Sequence, residues 1–288
     1  MLVPPVVNLH IYAKCNLKCL YCYEVFPERP RSMPLASWQR LLSILADDGV
    51  KRITFSGGEP TLHPELLLML VHARGVGLQT SIITNGARLS DKMIDSLDLV
   101  SMTLDAIDPE LLEGIGRSTR KHCYLEKLRD VAARTRARGV PFKLNTVVSR
   151  LNIDQELSGE LRRLRPATWK PMQFTHVVGE NDEHAEALLI SHTEFAAFVA
   201  RHQEALLGSG IQVSSEAEAS VRTSYVMIEP TGRLFQTSTG RKAHSRPVLD
   251  VGLRAALAEV GGYDDDAFRA RGGDRDVRLY KLSKKGGK

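Results

Sequence analysis

Cysteine is scarce in this chain, four among 288 residues, far below the density of a small secreted disulfide scaffold. Aromatic residues are few as well, 6% of the total. They do not interleave with basic residues, which argues against a stacking platform for single-stranded nucleic acid. Long apolar runs are missing: the N-terminal one covers only Leu2 to Val7 and is interrupted by Pro4 and Pro5. It has neither a basic n-region nor a small-residue cleavage site, so no secretory signal and no membrane span are expected. No lysine- and arginine-rich amphipathic segment suggests an interfacial anchor. With no repeat and no low-complexity linker, a single structural unit is expected, in a reducing, cytoplasmic setting.

What is present fits an ordinary globular protein with a sizeable core, 43% hydrophobic and 25% charged. The net charge of +5 and the pI near 9.0 suggest an anionic partner without choosing one. Part of the excess reads as solvated surface: Arg134, Arg136 and Arg138 on a helix, and the tail Lys284-Lys285-Gly286-Gly287-Lys288. Direct nucleic-acid binding is not expected; a small polyanion remains open.

Three of the four cysteines crowd into Cys15-Asn16-Leu17-Lys18-Cys19-Leu20-Tyr21-Cys22, a C-x3-C-x2-C spacing just after the strand-like Val6 to Tyr12. A four-iron, four-sulfur cluster takes four thiolates, so three on one loop would hold three irons and leave the fourth open. An open position distinguishes a catalytic metal site from a structural one. Zinc is the alternative, but structural zinc prefers two paired motifs and no second pair exists. Cys123 lies about a hundred residues on, within a helix-like segment, and is expected to be a small buried apolar residue. His10 is the one other ligand type nearby.

Strand and helix patterns alternate along the chain. Helix Leu35 to Asp47 leads to strand Ile53 to Phe55, helix Pro64 to Arg74 to strand Gln79 to Thr84, and helix Asp91 to Leu97 to strand Leu99 to Leu104. Helix Tyr124 to Arg138 then leads to strand Phe142 to Val148, and helix Ile153 to Arg163 to strand Met172 to Val178. Such alternation predicts an α/β fold with a parallel sheet, and six units fit a partial (β/α)6 TIM-type barrel better than a closed eight-stranded one. Residues 1–190 form the barrel core and 191–288 a C-terminal extension. The extension holds an amphipathic helix (Phe195, Phe198, Val199, Leu206), a hairpin of Tyr225 to Ile228 and Arg233 to Gln236, and a helix near Leu253 to Val260. Gly261 to Asp266 and Gly272-Gly273 read as irregular and lid-like.

Directly after the second strand comes Ser56-Gly57-Gly58-Glu59-Pro60. The glycines let backbone approach a ligand, and Glu59 offers a carboxylate to an amino group. Together with the cysteine loop this motif resembles the radical S-adenosylmethionine superfamily. The resemblance implies that Cys15, Cys19 and Cys22 hold a 4Fe-4S cluster whose open iron is chelated by S-adenosylmethionine. It further implies that Gly57, Gly58 and Glu59 receive the amino group and that Tyr21 lies by the adenine. Reductive cleavage would then give a 5′-deoxyadenosyl radical.

The likeness narrows along the rest of the chain. Lys51-Arg52-Ile53-Thr54-Phe55-Ser56-Gly57-Gly58-Glu59-Pro60, Gly114-Ile115-Gly116-Arg117, Phe142-Lys143-Leu144-Asn145 and Trp169-Lys170-Pro171-Met172-Gln173 resemble the antiviral, nucleotide-modifying viperin family. So do Ser224-Tyr225-Val226-Met227-Ile228 and Arg271-Gly272-Gly273. That resemblance implies dehydration of a ribonucleoside triphosphate such as CTP or UTP, through 4′ hydrogen abstraction, to a 3′-deoxy-3′,4′-didehydro chain terminator. It also implies a reductase or flavodoxin-type electron donor. Converging cations are what a triphosphate requires. Arg52, Lys143 and Lys170 match phosphate-binding positions, with Lys242 a further candidate; Asn8, Asn145 and Tyr225 match positions near the nucleoside; Asn85, Thr103 and Arg117 match the cofactor side. The pattern has lysine where this chain has Arg52 and arginine where it has Thr168, and the tail Arg278-Leu279-Tyr280-Lys281 lacks the family's tryptophan ending. A peptide- or cofactor-maturing radical enzyme is the alternative, though such enzymes often carry cysteine-rich C-terminal regions and no cysteine follows Cys123. A non-catalytic nucleotide-binding defence protein is another.

Overall fold

The computed structural model describes residues 2–24, 31–118, 123–218 and 224–273. Six strands run in chain order through the middle of one sheet: β1 (Val6–Tyr12), β2 (Arg52–Gly57), β3 (Gln79–Ile83), β4 (Leu99–Thr103), β5 (Phe142–Val148) and β6 (Thr168–Gln173). Every neighbouring pair among them is parallel. The connections carry α1 (Leu35–Asp47), α2 (Leu66–Gly75), α3 (Asp91–Asp95), α4 (Pro109–Gly114), α5 (Tyr124–Ala137) and α6 (Ser158–Leu164). Among the described residues the row does not close on itself, and shorter strands from later in the chain extend it on both sides, so the architecture is the expected partial barrel.

Alternate strand residues point to opposite faces, and the faces differ in chemistry. Val7, Leu9 and Ile11 of β1, Ile53 and Phe55 of β2, Val100 and Met102 of β4, and Leu144 of β5 are fully buried. They join Trp38, Leu41 and Leu45 of α1 and Leu128 and Val131 of α5 in one apolar core. The other face is polar and encloses the site.

The chain past residue 190 supplies both flanks of this row. After α7 (Ala185–Leu188) and α8 (His192–Ala205), β7 (Gln212–Val213) pairs parallel with β6, and β8 (Met227–Ile228) pairs parallel with β1. The antiparallel β9 (Arg233–Gln236) and β10 (Ala243–Pro247) extend the sheet from β8. Three short helices follow: α9 (Val248–Val251), α10 (Leu253–Glu259) and α11 (Asp265–Ala270).

Four sequence expectations are corrected. The sixth strand starts at Thr168, not Met172, which puts Lys170 inside the strand. The preceding helix starts at Ser158, not Ile153. There Asn152 accepts from the Ser149 amide at 2.8 Å and donates to the Asp105 and Val147 carbonyls, a side-chain competitor that ties the backbone into a turn. Cys123 is exposed at the N-terminal boundary of α5 rather than buried. The acidic Asp264 to Asp266 stretch opens a helix: Asp264 caps it by accepting from the Ala267 amide at 2.9 Å, acidic groups suit a helix start, and Phe268 is buried beneath. The tail Arg278-Leu279-Tyr280-Lys281 and the lysines after it lie outside the described residues.

Candidate active site

The polar faces of the strands enclose a cavity of about 300 Å³. Its wall is every second residue of successive strands: Asn8 and His10; Arg52, Thr54 and Ser56; Ser101 and Thr103; Lys143 and Asn145; Lys170 and Met172. Register sets the depth of each. Lys143 lies opposite Ser101 and Thr168, and Asn145 opposite Thr103 and Lys170. Arg52 opens β2 and Gly57 closes it, so about 16 Å of strand separates the two levels at ~3.3 Å per residue.

At the C-terminal mouth of the strands sits the cysteine loop, and Cys15, Cys19 and Cys22 all line the cavity. The three lie along one arc of loop, and among the described residues no three ligating side chains stand grouped as a metal site. Burial pushes the thiols of Cys15 and Cys19 above their ordinary range and that of Cys22 up to about 12. A bound metal reverses that preference by stabilising thiolate. The loop is prepared for it: the Leu17 amide and the Asn85 side-chain amide both point at the Cys15 Sγ, 3.4 and 3.7 Å away. Thiolate-ligated iron fits this donor set.

Two glycine surfaces hold the arc. The Gly58 amide donates to the Tyr12 carbonyl at 2.7 Å and the Glu59 amide to the Lys14 carbonyl at 2.8 Å. A Cβ on Gly58 would lie 2.4 Å from the Lys14 carbonyl oxygen, and Gly57 adopts φ +127° against Tyr12. From the far side, Leu20 donates to the Ile115 carbonyl at 3.0 Å. Gly116 has φ +80°, and a Cβ there would lie 2.0 Å from the Lys18 carbonyl oxygen. Only glycine lets either backbone approach the loop so closely.

Beside the glycines, Glu59 is buried and accepts from the Thr61 amide (2.9 Å), the Thr61 hydroxyl (2.5 Å), the Thr84 hydroxyl (2.5 Å) and the Asn85 amide (2.7 Å). Burial nevertheless pushes its carboxyl above the usual range. Three of the four donors take one oxygen, so the other retains room to accept an ammonium. Tyr21 lines the cavity, but its hydroxyl is pinned by the Asp105 carboxylate and by the Arg117 guanidinium at 2.6 Å. Arg117 also pairs with Asp105 at 3.1 Å and lies against the faces of Tyr21 and Tyr124. Thr103 exchanges backbone hydrogen bonds with the Tyr124 hydroxyl.

The deeper end is cationic. Arg52, Lys143, Lys170 and Arg271 all line it, each less than a tenth exposed. Lys170 donates to the Glu216 carboxylate, Arg271 reaches the same oxygen at 3.1 Å, and the Tyr225 hydroxyl donates to the other at 2.8 Å. Burial alone would push Glu216 up; Lys170, Arg271 and Lys143 outweigh it and hold the carboxyl at about 2. The Arg271 guanidinium stacks 3.7 Å from the centre of the Tyr225 ring.

A sequence match to the Radical SAM superfamily covers residues 9–163. An S-adenosylmethionine-dependent nucleotide dehydratase of Flammeovirga pacifica is 31% identical to this chain, over 93% of the chain and 94% of the relative. The chain belongs to this viperin-like dehydratase family. A second such dehydratase, from Lacinutrix mariniflava, is 31% identical over 97% of the chain, which spans 62% of that longer protein. The fold matches anSMEcpe with bound AdoMet and a peptide, at a TM-score of 0.71 and 14% identity, over 88% of this chain and 80% of the other. The superfamily's cofactors are a four-iron, four-sulfur cluster and S-adenosylmethionine.

Of the family positions expected from sequence, all but one border the cavity: the three cysteines, Tyr21, Gly57, Gly58, Glu59, Asn85, Thr103 and Arg117, with Asn8, Arg52, Lys143, Asn145, Lys170 and Tyr225. Lys242 is not among the lining residues; it pairs with Glu180 at 3.1 Å and Glu24 at 3.7 Å. Glu24 in turn is 2.9 Å from His10, so His10 stands with a carboxylate. Glu216, Arg271 and Asp105 went unassigned in the sequence. Arg271 sat within a family motif, Arg271-Gly272-Gly273; Glu216 and Asp105 had no local pattern to mark them. Among the described residues no helix is long and apolar enough to cross a membrane.

Proposed function

We propose that this chain dehydrates a ribonucleoside triphosphate, CTP, UTP or another, to its 3′-deoxy-3′,4′-didehydro analogue. The observation that carries this is one cavity with three cysteines at its mouth and four buried cations, Arg52, Lys143, Lys170 and Arg271, deeper between the strands. Cys15, Cys19 and Cys22 would hold the cluster, and Glu59 with the Gly57-Gly58 backbone would receive the methionine end of S-adenosylmethionine. Bound there, the two cofactors would supply the radical chemistry for hydrogen abstraction at the 4′ carbon.

The chain's own residues do the rest. The cations bind the triphosphate by charge-assisted hydrogen bonds and fix how far the sugar stands from the mouth. Asn8 and Asn145 stand one layer above Arg52 and Lys143, which supports their holding the ribose. Tyr225, whose hydroxyl burial pushes above its ordinary range, stays protonated and able to donate. The 3′ hydroxyl leaves as water, which takes a proton and an electron, so a reductase or flavodoxin-type donor is the expected partner. Residues past 190 complete the nucleotide end through Glu216, Tyr225 and Arg271.

Product analysis tests the proposal. Anaerobically reconstituted protein given S-adenosylmethionine, a reductant and each of CTP, UTP, GTP and ATP is expected to turn one of them into a product lighter by one water. No such product from any of the four would contradict it.

A further inference from the structure

We propose that Glu216 is a specificity-determining residue, a built-in anion that makes the deep end of the cavity select a polyphosphate over a single phosphate. The inference rests on the cavity being a nucleoside triphosphate site.

The carboxylate is fixed from both sides. Its backbone lies along β6, the Glu216 amide donating to the Pro171 carbonyl and its carbonyl accepting from the Gln173 amide, each at 2.9 Å. Its side chain is fully buried and bonded to Lys170, Arg271 and Tyr225. The depressed titration of Glu216 keeps it charged at neutral pH.

A small anion entering this end therefore meets two cations already engaged by a tethered competitor. A tethered group competes at a high effective concentration and gives up little freedom in doing so. A single phosphate must displace it or settle for weaker contacts. A triphosphate presents three charged groups in a row to the cations of three strands and of the segment after α11. It gains enough contacts that one fixed carboxylate does not exclude it. Glu216 thus lowers affinity for every anion but lowers it most for the smallest, and it holds Lys170, Arg271 and the Tyr225 hydroxyl in place for the chain of phosphates.

Calorimetric titration of the reconstituted holoenzyme with CTP, UTP, CMP, UMP and inorganic phosphate tests this. In Glu216→Gln the ratio of monophosphate Kd to triphosphate Kd is expected to fall at least tenfold, chiefly through tighter binding of monophosphate and inorganic phosphate. Glu216→Asp keeps the charge and is expected to keep the ratio near wild type. Glu216→Ser, which leaves room for water beside Lys170 and Arg271, carries the same expectation as the Gln variant should that one not fold. An unchanged ratio in the uncharged variants, or equal weakening of mono- and triphosphate, would show that Glu216 is only structural. Wild-type protein that binds neither triphosphate would instead overturn the triphosphate site itself.

Discussion

At the scale of single residues, glycines and pairings do as much as the chemistry-bearing side chains. Gly116 is far in sequence from the cysteines, yet its missing side chain lets the cysteine loop lie against the turn after α4. Gly116→Ala would place a methyl inside the Lys18 carbonyl and force a left-handed backbone on alanine, a loss of about 2 kcal/mol or more. The expected outcome is a lower denaturation midpoint and protein that emerges from reconstitution with much less iron; wild-type iron content would contradict it. The cysteine triplet and Gly57-Gly58-Glu59 were legible because each is a short local pattern. Glu216 was not, because its meaning depends on Lys170, 46 positions earlier, and Arg271, 55 positions later. Asp105 was hidden for the same reason, its partners Tyr21 and Arg117 arriving from either side in sequence.

At the scale of elements, the alternation of helix and strand was legible because each long strand carries an apolar outer row. The inner row shows only once the register is known: Val7-Asn8-Leu9-His10 and Arg52-Ile53-Thr54-Phe55 alternate with period two, apolar outside and polar toward the cavity. The two-residue strand β7 was not legible, since periodicity needs more than two residues and its pairing comes from β6; β8 lies inside the hairpin expected from Tyr225 to Ile228, and only its parallel pairing with β1 was hidden. Helix α8 packs Phe198 and His202 against Trp169 of β6. Its start is a capping box, the Ser191 hydroxyl accepting from the Glu194 amide and Glu194 returning to the Ser191 amide. Ser191→Ala is expected to destabilise the protein by about 1 kcal/mol in denaturant titration. Its iron content and nucleotide affinity should match wild type; a change in either would mean that α8 bears on the site directly.

At the scale of the whole molecule, the proposed function has one cavity, walled by the open row of strands, serve two chemistries. Barrel-type folds keep their chemistry at the C-terminal ends of the strands, and the cysteine loop and Glu59 lie there. The cations sit lower on the same strands, so a ligand anchored by them extends toward the cysteines instead of lying across the mouth. Residues past 190 lay β7 and β8 along both flanks of the row and return Arg271 to the cavity. The net charge of +5 said only that an anion was plausible; the fold says where one would go. On this account cofactor cleavage and nucleotide binding are coupled through one space. The most direct measurement is 5′-deoxyadenosine formation by the reduced holoenzyme, with and without each nucleoside triphosphate, in wild type and in Lys143→Ala. The account predicts that one nucleotide accelerates formation at least tenfold in wild type and that Lys143→Ala needs far more of it for the same effect. Formation that is equally slow with all four nucleotides and with none would contradict it.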